Sequence, residues 1–523
     1  MNKLREIGMH DILKNDTICA ISTPGGVGGI AVIRVSGPQA MEIADSVWTG
    51  KRLSDAKSHT AHLGTIIEQG EDEPLDQAVA TVFKAPNSFT GEDVVEFSVH
   101  GSRWIQRELV NLLIRQGCRL AEPGEFTRRA FGAGKLDLAQ AEAVADVIAS
   151  SSKSAHRLAS SQMRGVFSKN ISGLRDRLIK IASLLELELD FSEEEVEFAS
   201  RSELKSMARS LQERISRLAS TFATGNAIKG GVPVAIVGEP NVGKSTLLNR
   251  LLDDDRAIVS DVPGTTRDTV EDTADIDGVM YRFIDTAGIR ETDDTVENMG
   301  IQRTLAAVSK ARIVVWIVTP DILPGQFKAL SGDILKYLPA DAKVIIAVNK
   351  MDKAIGEDMS QYDGKVLSMV PLPECEGGSV NIEVQSCEED SGSLLVSSGD
   401  DVDGYLCLAE VLLKELPGDS KLLFMSAAHG KNMDGLKVLL KEFSGVEDTS
   451  EADMVVTNAR HYEALVHAKE SLNRVLDGIE SGISGDFIAQ DLRETIHHIG
   501  SITGSITTDD LLKSIFENFC IGK

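Results

Sequence analysis

The sequence predicts a multidomain chain of the α/β and α classes: a small N-terminal α+β domain, then a helical domain split by an inserted α/β domain. Three observations carry this reading. Proline is absent between Pro123 and Pro233 and again after Pro417; because proline costs about 3 kcal/mol inside a helix, both stretches are free to be helical. From about Val232 to Phe443 short apolar runs alternate with helical patterns, as buried parallel strands joined by crossover helices do. Before Phe131 the runs are β-branched and separated by turn residues.

The elements follow in order. In residues 1–131, Thr17–Ile21 and Ile30–Val35 read as strands joined by the turn Pro24–Gly29; Ala78–Phe83 and Val94–Val99 read as further strands and Trp104–Gln116 as a helix. Residues 132–230 repeat apolar positions at mostly three- and four-residue steps, as at Leu138, Ala141, Val144, Ala145 and Ile148, or Leu174, Leu178, Ile181 and Leu185. Leu204–Leu218 adds one more such helix. Residues 447–523 return to this style at Leu465, Leu472 and Val475, then Leu492–Ile499 and Asp509–Phe519, so the two helical segments are expected to meet in space as one domain. The inserted domain, 231–446, has strand candidates Val232–Val237, Tyr281–Ile284, Ile313–Val318, Val344–Val348 and Leu422–Met425. Within it, Ala354–Glu415 carries 14 acidic residues against two basic ones, with Ser and Gly clusters; its middle, about 356–404, reads as a loop or disordered insertion.

Composition narrows the class. At roughly 100–200 residues per domain, 523 residues make about three or four folding units, and 42% hydrophobic residues exclude wholesale disorder. The 80 Asp and Glu against 54 Lys and Arg, a net charge of −26, argue against a generally basic nucleic-acid-coating surface while leaving room for a local basic patch. The six cysteines (Cys19, Cys118, Cys375, Cys387, Cys407 and Cys520) are too sparse for a disulfide scaffold and form no CxxC pair of a zinc site, which fits a reducing cytoplasm. The start, Met1–Asp16, lacks the apolar region of a signal peptide, and no apolar run reaches the roughly 18 residues of a membrane span. A soluble, acidic, cytoplasmic protein is expected.

The strand Val232–Val237 runs into Gly238-Glu239-Pro240-Asn241-Val242-Gly243-Lys244-Ser245 and then the helical Thr246-Leu247-Leu248. This is GxxxxGK[ST] in its strand–loop–helix setting, where backbone N–H groups curl around phosphates, Lys244 reaches the β- and γ-phosphates and Ser245 holds Mg²⁺. Asp285-Thr286-Ala287-Gly288 ends the next strand, placing a carboxylate near the Mg²⁺ shell and the Gly288 N–H near a γ-phosphate. Asn349-Lys350-Met351-Asp352 ends another; the Asp352 carboxylate can accept from guanine N1 and N2, which adenine cannot offer. Ser426-Ala427 ends a fourth and aims a backbone N–H at guanine O6. Four strand ends converge at one sheet edge, so the insertion reads as a Ras-like P-loop G domain that takes GTP. Ser260-Asp261-Val262-Pro263-Gly264-Thr265-Thr266 forms a switch-I-like loop whose threonines can touch Mg²⁺, Thr266 above all. The glutamine that follows DxxG in Ras-like enzymes is replaced by Ile289, which can neither orient water nor offset charge.

These motifs, together with Asp16-Thr17-Ile18, the glycine turn with Arg34, Asn87-Ser88-Phe89-Thr90-Gly91-Glu92-Asp93, Pro123-Gly124-Glu125-Phe126, Lys135–Glu142 and the terminal Phe519-Cys520-Ile521-Gly522-Lys523, closely resemble the MnmE (TrmE) family, GTPases of tRNA wobble-uridine modification. The resemblance covers nearly the full length. It implies an N-terminal domain that dimerises and binds a 5-formyl-tetrahydrofolate-type one-carbon donor at Arg34, Glu96 and Lys135, with Lys523 closing the pocket. It implies that K⁺, caged by Asn241, Ser260, Val262 and Thr265, replaces the absent arginine finger, and that Glu297 orients water. It implies a partner, the FAD- and NADH-dependent MnmG, in a heterotetramer or larger complex acting on C5 of the wobble uridine to install an aminomethyl or carboxymethylaminomethyl group. Cys520 is a candidate for catalysis, against the commoner role of a small buried hydrophobe. The acidic span departs from the family pattern. On the P-loop and Asn349–Asp352 alone, a regulatory or ribosome-assembly GTPase of the Era/Der type fits as well; the N-terminal domain, the split helical domain and the chain end favour tRNA modification.

Overall fold

The structure, a computed structural model, describes residues 16–68, 70–190, 201–254, 271–284, 297–355, 365–370, 381–386, 394–395, 412–414, 416–446, 455–517, 519 and 522. The chain divides into two compact units: Met1–Ala149 with Ala159–Arg217 and Glu463–Lys523, and Ser150–Leu158 with Leu218–Tyr462. The residues expected to form the helical domain thus contribute to both.

In the first unit, β1 (Ile18–Ile21), β2 (Ile30–Ser36), β3 (Trp48–Thr49), β4 (Thr60–Ile66), β5 (Asp76–Phe83), β6 (Val94–His100) and β7 (Arg119–Leu120) make one sheet in the order β3-β4-β5-β6-β2-β1-β7. Every pairing is antiparallel except β1 with β7. Strand periodicity sets the faces: Ala78, Ala80 and Val82 turn inward while Gln77 and Val79 turn out. The inner face packs under α1 (Ala40–Ser46) and α2 (Arg103–Arg115), with Phe97, Leu109 and Leu113 fully buried. β4 escapes a sequence reading because its residues, Thr-Ala-His-Leu-Gly-Thr-Ile, are small or polar around Leu63.

A partly buried ionic cluster lies beside β1. Arg129, on α3 (Glu125–Gly132), is 2% exposed and donates to Asp16 at 2.7 Å and Glu125 at 3.0 Å. Arg119 completes it, 2.6 Å from Glu125 and 2.7 Å from Asp16. Burial works to raise both carboxyl pKa values, but Arg119 and Arg129 hold Asp16 and Glu125 below their ordinary range. Helices α4 (Leu138–Ala149), α5 (Lys153–Met163), α6 (Val166–Asp190), α7 (Arg201–Ser220) and α8 (Phe222–Gly230) follow.

The second unit is built on a nine-stranded sheet of β8 (Val232–Val237), β9 (Asp272–Ile276), β10 (Val279–Phe283), β11 (Ile313–Val318), β12 (Lys343–Val348), β13 (Lys365–Val370), β14 (Asn381–Ser386), β15 (Leu394–Leu395) and β16 (Lys421–Phe424). The order is β15-β14-β13-β16-β12-β11-β8-β10-β9. The five inner strands are parallel and β11 is buried at all six positions, as expected when helices cover both faces. Alternate residues of β8 feed separate cores: Val234 and Ile236 pack with Leu247 and Leu251 of α9 (Lys244–Asp254), and Ala235 and Val237 with Val308 of α10 (Glu297–Val308). Phe327 of α11 (Pro324–Ile334) lies against Trp316, ring centroids 4.7 Å apart. Helices α12 (Met351–Ile355) and α13 (Met433–Ser444) complete the unit.

The acidic span corrects the sequence reading. A loop or disordered insertion was expected over about 356–404, yet β13, β14 and β15 lie there as an antiparallel extension of the sheet, β13 pairing with β16 at Leu367–Leu422 and Ser368–Lys421. The average composition hid short β-type alternations, Val366 to Val370 and Ile382 to Val384, and an open strand edge next to them supplies the hydrogen bonds that such segments lack alone.

The chain then returns as α14 (Ala459–Glu480), α15 (Gly485–Thr503) and α16 (Asp509–Phe516). In the first unit the two helical segments meet: Lys205 of α7 pairs with Glu480 of α14 at 2.7 Å, and Gln212 with Asn473 at 3.1 Å. Leu512 and Phe516 of α16 pack on Leu138 and Ala141 of α4. Among the described residues no helix is long and apolar enough to cross a membrane.

Because β13 covers the β16 edge, replacing 356–404 with a short linker should lower the melting temperature, by roughly 2–4 °C per kcal/mol of pairing lost, and promote self-association, while GTP turnover per folded molecule is retained. A thermal scan with light scattering checks this; unchanged melting and scattering would return the span to a solvated loop.

Candidate functional site

The loop between β8 and α9 is held in shape by two neighbours. Asn241 has φ +63° and its carbonyl accepts from the Lys350 ammonium. The Asn349 amide, 3% exposed as a residue, donates to the Val242 carbonyl at 2.8 Å and accepts from the Ala427 N–H at 2.9 Å. One side chain therefore joins three loops: those after β8, β12 and β16. Gly243, with φ +108°, follows from this contact, because a Cβ there would stand 2.3 Å from Asn349 Nδ2. Lys244, at the head of α9, donates to the carbonyls of Gly238 and Glu239, both at 2.8 Å. Burial pushes its pKa down, and Glu239 only partly offsets this. A half-buried lysine over a glycine loop at a helix N-terminus is an anion-binding arrangement suited to phosphates. Ser245 and Thr246 continue the first turn of α9.

At the other end, Asp352 lies on α12. The Ser426 hydroxyl donates to its Oδ1 at 2.6 Å, and His429 Nε2 stands 3.7 Å from its Oδ2. The hydroxyl fixes the carboxylate plane while leaving lone pairs for the paired N–H groups of a guanine edge. Ala427 presents its backbone beside them on a loop closed by the Ser426–Lys431 bridge. The loops after β8, β12 and β16 are thus brought together, and with them Asn241, Val242, Gly243, Lys244, Asn349, Lys350, Asp352, Ser426 and Ala427. Ser260, Asp261, Val262, Pro263, Gly264, Thr265, Thr266, Asp285, Thr286, Ala287 and Gly288 lie outside the described residues. Glu297 opens α10.

A second cluster lies in the first unit. Arg34 on β2 and Glu96 on β6 are register partners joined at 2.8 Å. The guanidinium carbon sits 5.6 Å from the Phe89 ring centroid and 5.4 Å from that of Phe126. The chain end comes to the same place: the Gly522 carbonyl accepts from Ser22 Oγ at 3.1 Å and from Arg34 at 3.5 Å. At Gly522, φ +97°, a Cβ would stand 2.2 Å from the Ile21 carbonyl, so only glycine docks there. Lys135 is exposed, its stem within 3.6 Å of an atom added at Gly91. Phe126 is buried beneath the guanidinium, so the cation, its carboxylate and the exposed Phe89 ring are what could meet a flat, charged ligand. Cys520 and Lys523 lie outside the described residues. Sequence reasoning missed Phe89, Phe126 and Ser22 as neighbours of Arg34, and His429 beside Asp352; the two phenylalanines stood in quoted motifs, while nothing local marked Ser22 or His429.

A family model described as the GTP-binding protein TrmE N-terminus matches residues 17–135, and one described as the MnmE helical domain matches residues 138–520. The chain belongs to the MnmE family. The protein named tRNA modification GTPase MnmE of Parabacteroides distasonis is 47% identical over 514 residues, 97% of this chain and all 100% of that protein. The MnmE proteins of Bacteroides thetaiotaomicron and Flavobacterium johnsoniae are 46% and 43% identical, each over 98% of this chain and 100% of their own length.

Two substitutions around Asn349 and Asp352 should separate scaffold from readout. Asn349→Ala strands a buried carbonyl and N–H, each costing about 1–3 kcal/mol, and should lower stability and weaken guanine and xanthine nucleotides alike. Asp352→Asn puts a donor where an acceptor stood and should weaken GTP about ten-fold or more while favouring the xanthine nucleotide, which carries a carbonyl at position 2. Calorimetric titration of both nucleotides into both variants checks this; unaltered GTP affinity in Asp352→Asn would remove the guanine assignment.

Proposed function

We propose that this chain is a K⁺-activated GTPase that works as a homodimer with an MnmG-like FAD/NADH protein. The pair modifies C5 of the wobble uridine of tRNA with a formyl-tetrahydrofolate-type one-carbon unit. That it is a GTP-hydrolysing enzyme of tRNA modification follows from its family. The observation that carries the finer reading is the docking of the chain end, at Gly522, on Arg34 and Ser22. A nucleotide switch alone has no need of such a site, whereas a folate bearing a pterin ring and a glutamate carboxylate fits Arg34, the exposed Phe89 ring and Glu96, with Lys135 and Lys523 as further charges. Cys520, in the same terminal motif, remains a candidate for catalysis.

In the G domain, the backbone N–H groups around Gly243 and the Lys244 ammonium would hold the β- and γ-phosphates, and Asp352, beside the loops that Asn349 fixes, would read the guanine. Ser245 and Thr266 would hold Mg²⁺, which would supply positive charge against that of the phosphates. Asn241, exposed in its left-handed conformation, offers the kind of amide oxygen a hard monovalent cation takes, with Ser260, Val262 and Thr265 as partners. Potassium, when bound there, supplies the positive charge that an arginine finger supplies elsewhere. Ile289 cannot orient water, and Glu297, at the head of α10, is assigned that task.

Self-association is supported by the outer face of the seven-stranded sheet. Leu63 on β4 is 67% exposed beside its register partner Val79, and Ile30 on β2 is 70% exposed. Apolar strand residues left in water on one face suit a second copy of the same face.

GTP turnover in matched KCl and NaCl tests the reading. Wild type should slow by orders of magnitude in NaCl, since an arginine finger elsewhere contributes about 10³–10⁵ in rate. Asn241→Ala should lose the difference between salts, whereas Glu297→Ala should turn over poorly in both yet still dimerise in KCl with a phosphate transition-state mimic. Equal wild-type rates in the two salts would remove the potassium mechanism.

A further inference from the structure

Resting on the tRNA reading, we propose that the outward face of α6 is a binding strip for the phosphate backbone of the tRNA. Ile171, Leu174, Leu178 and Ile181 turn one side of this helix into the interior. The opposite side is cationic. Arg164, in the turn before the helix, and Lys169, Arg177 and Lys180 are all exposed, and none makes an ion pair among the described residues. Elsewhere in this chain of net charge −26 several surface cations are paired, Arg115 with Glu68 at 2.7 Å, Arg493 with Glu186 at 2.8 Å and Lys421 with Glu442 at 2.8 Å.

The spacing suits a polyanion. At about 100° and 1.5 Å per residue, Lys169 and Lys180 point within about 20° of each other and lie about 16 Å apart along the axis, with Arg177 about 60° to one side. These cations reach separate phosphates of one backbone rather than a single anion. Between the two lysines stands Gly173, with open space where a Cβ would be, so a nucleic-acid backbone can approach the helix closely.

Charge also bounds the strip. Asp176 is the one acid on this face between Arg164 and Lys180, and from Glu186 to Glu197 the chain carries seven acids and no base. A backbone following the strip therefore leaves the helix before Glu186. An acidic protein surface is the weaker occupant: from Arg164 to Lys180 the described face exposes no large apolar side chain to anchor one, whereas phosphate binding requires only unpaired cations.

The test is equilibrium binding of an unmodified tRNA transcript to the full-length chain, by fluorescence anisotropy, from about 50 to about 300 mM KCl. Each phosphate contact contributes about 0.7–0.9 to the slope of log affinity against log salt. The triple variant Lys169→Gln, Arg177→Gln, Lys180→Gln should lower that slope by about 2–3 and weaken binding roughly ten-fold or more at the lowest salt, with GTP turnover unchanged. Asp176→Lys, which adds a cation to the strip, should tighten binding and steepen the slope by about 1. Wild-type affinity and slope in the triple variant, or no gain in Asp176→Lys, would overturn the strip and leave tRNA as the substrate. No tRNA binding by the wild type at any salt would overturn the strip and the reading beneath it together.

Discussion

The G domain depends on the amide of Asn349. Its two ends satisfy a carbonyl of the phosphate loop and an N–H of the Ser426-Ala427 loop, so the distance between the phosphate end and the base end is set by one planar group. Both partners are buried, and losing either bond leaves an unsatisfied polar group at a cost of about 1–3 kcal/mol. The rest follows from that contact. Position 243 must be glycine, Lys350 reaches across to the Asn241 carbonyl, and Asp352, one turn along, is oriented by Ser426. The parallel strands β8, β12 and β16 bring these loops to one sheet edge, where open α/β sheets bind ligands.

In the first unit a comparable constraint is ionic. Arg129 and Arg119 hold Asp16 and Glu125 in their charged forms despite burial. With folded pKa values below the unfolded ones, these carboxylates stabilise the unit at neutral pH, and the contribution is lost as pH falls through the folded values. The cluster fixes the start of β1 against α3, and Phe126 of that helix is one of the two rings beside Arg34. The Arg34 site is therefore built against the buried Phe126, and the chain end is seated on it by a glycine that no other residue can replace without moving β1.

Much of this was legible in the residues themselves. The buried strands β8 and β11 announce their bounds because both faces are covered and every position is apolar, and the phosphate and guanine motifs follow such strands directly. β9 hides because Asp272, Thr273 and Asp275 dilute its pattern, although it pairs in register with β10. β13 to β15 hide because a strand completed by an existing edge needs little apolar content of its own. The site divides in the same way. Residues that act through backbone loops, Gly243 and Lys244, carry a spacing signal. Residues that matter through tertiary contact do not: Phe89, Phe126 and Ser22 reach Arg34 only once the sheet and the chain end are in place, and His429 reaches Asp352 only through the turn after Ala427.

The central claim is that guanine-nucleotide turnover in this chain serves chemistry on tRNA. Nucleoside composition of tRNA from cells lacking the chain tests it most directly, with wild type and the phosphate-loop variant Lys244→Ala returned separately. The account requires the C5-aminomethyl-type wobble uridine to disappear without the chain, to return with wild type, and to stay absent with Lys244→Ala. An unchanged nucleoside profile without the chain would contradict it and leave a regulatory GTPase; full restoration by Lys244→Ala would separate the modification from GTP altogether.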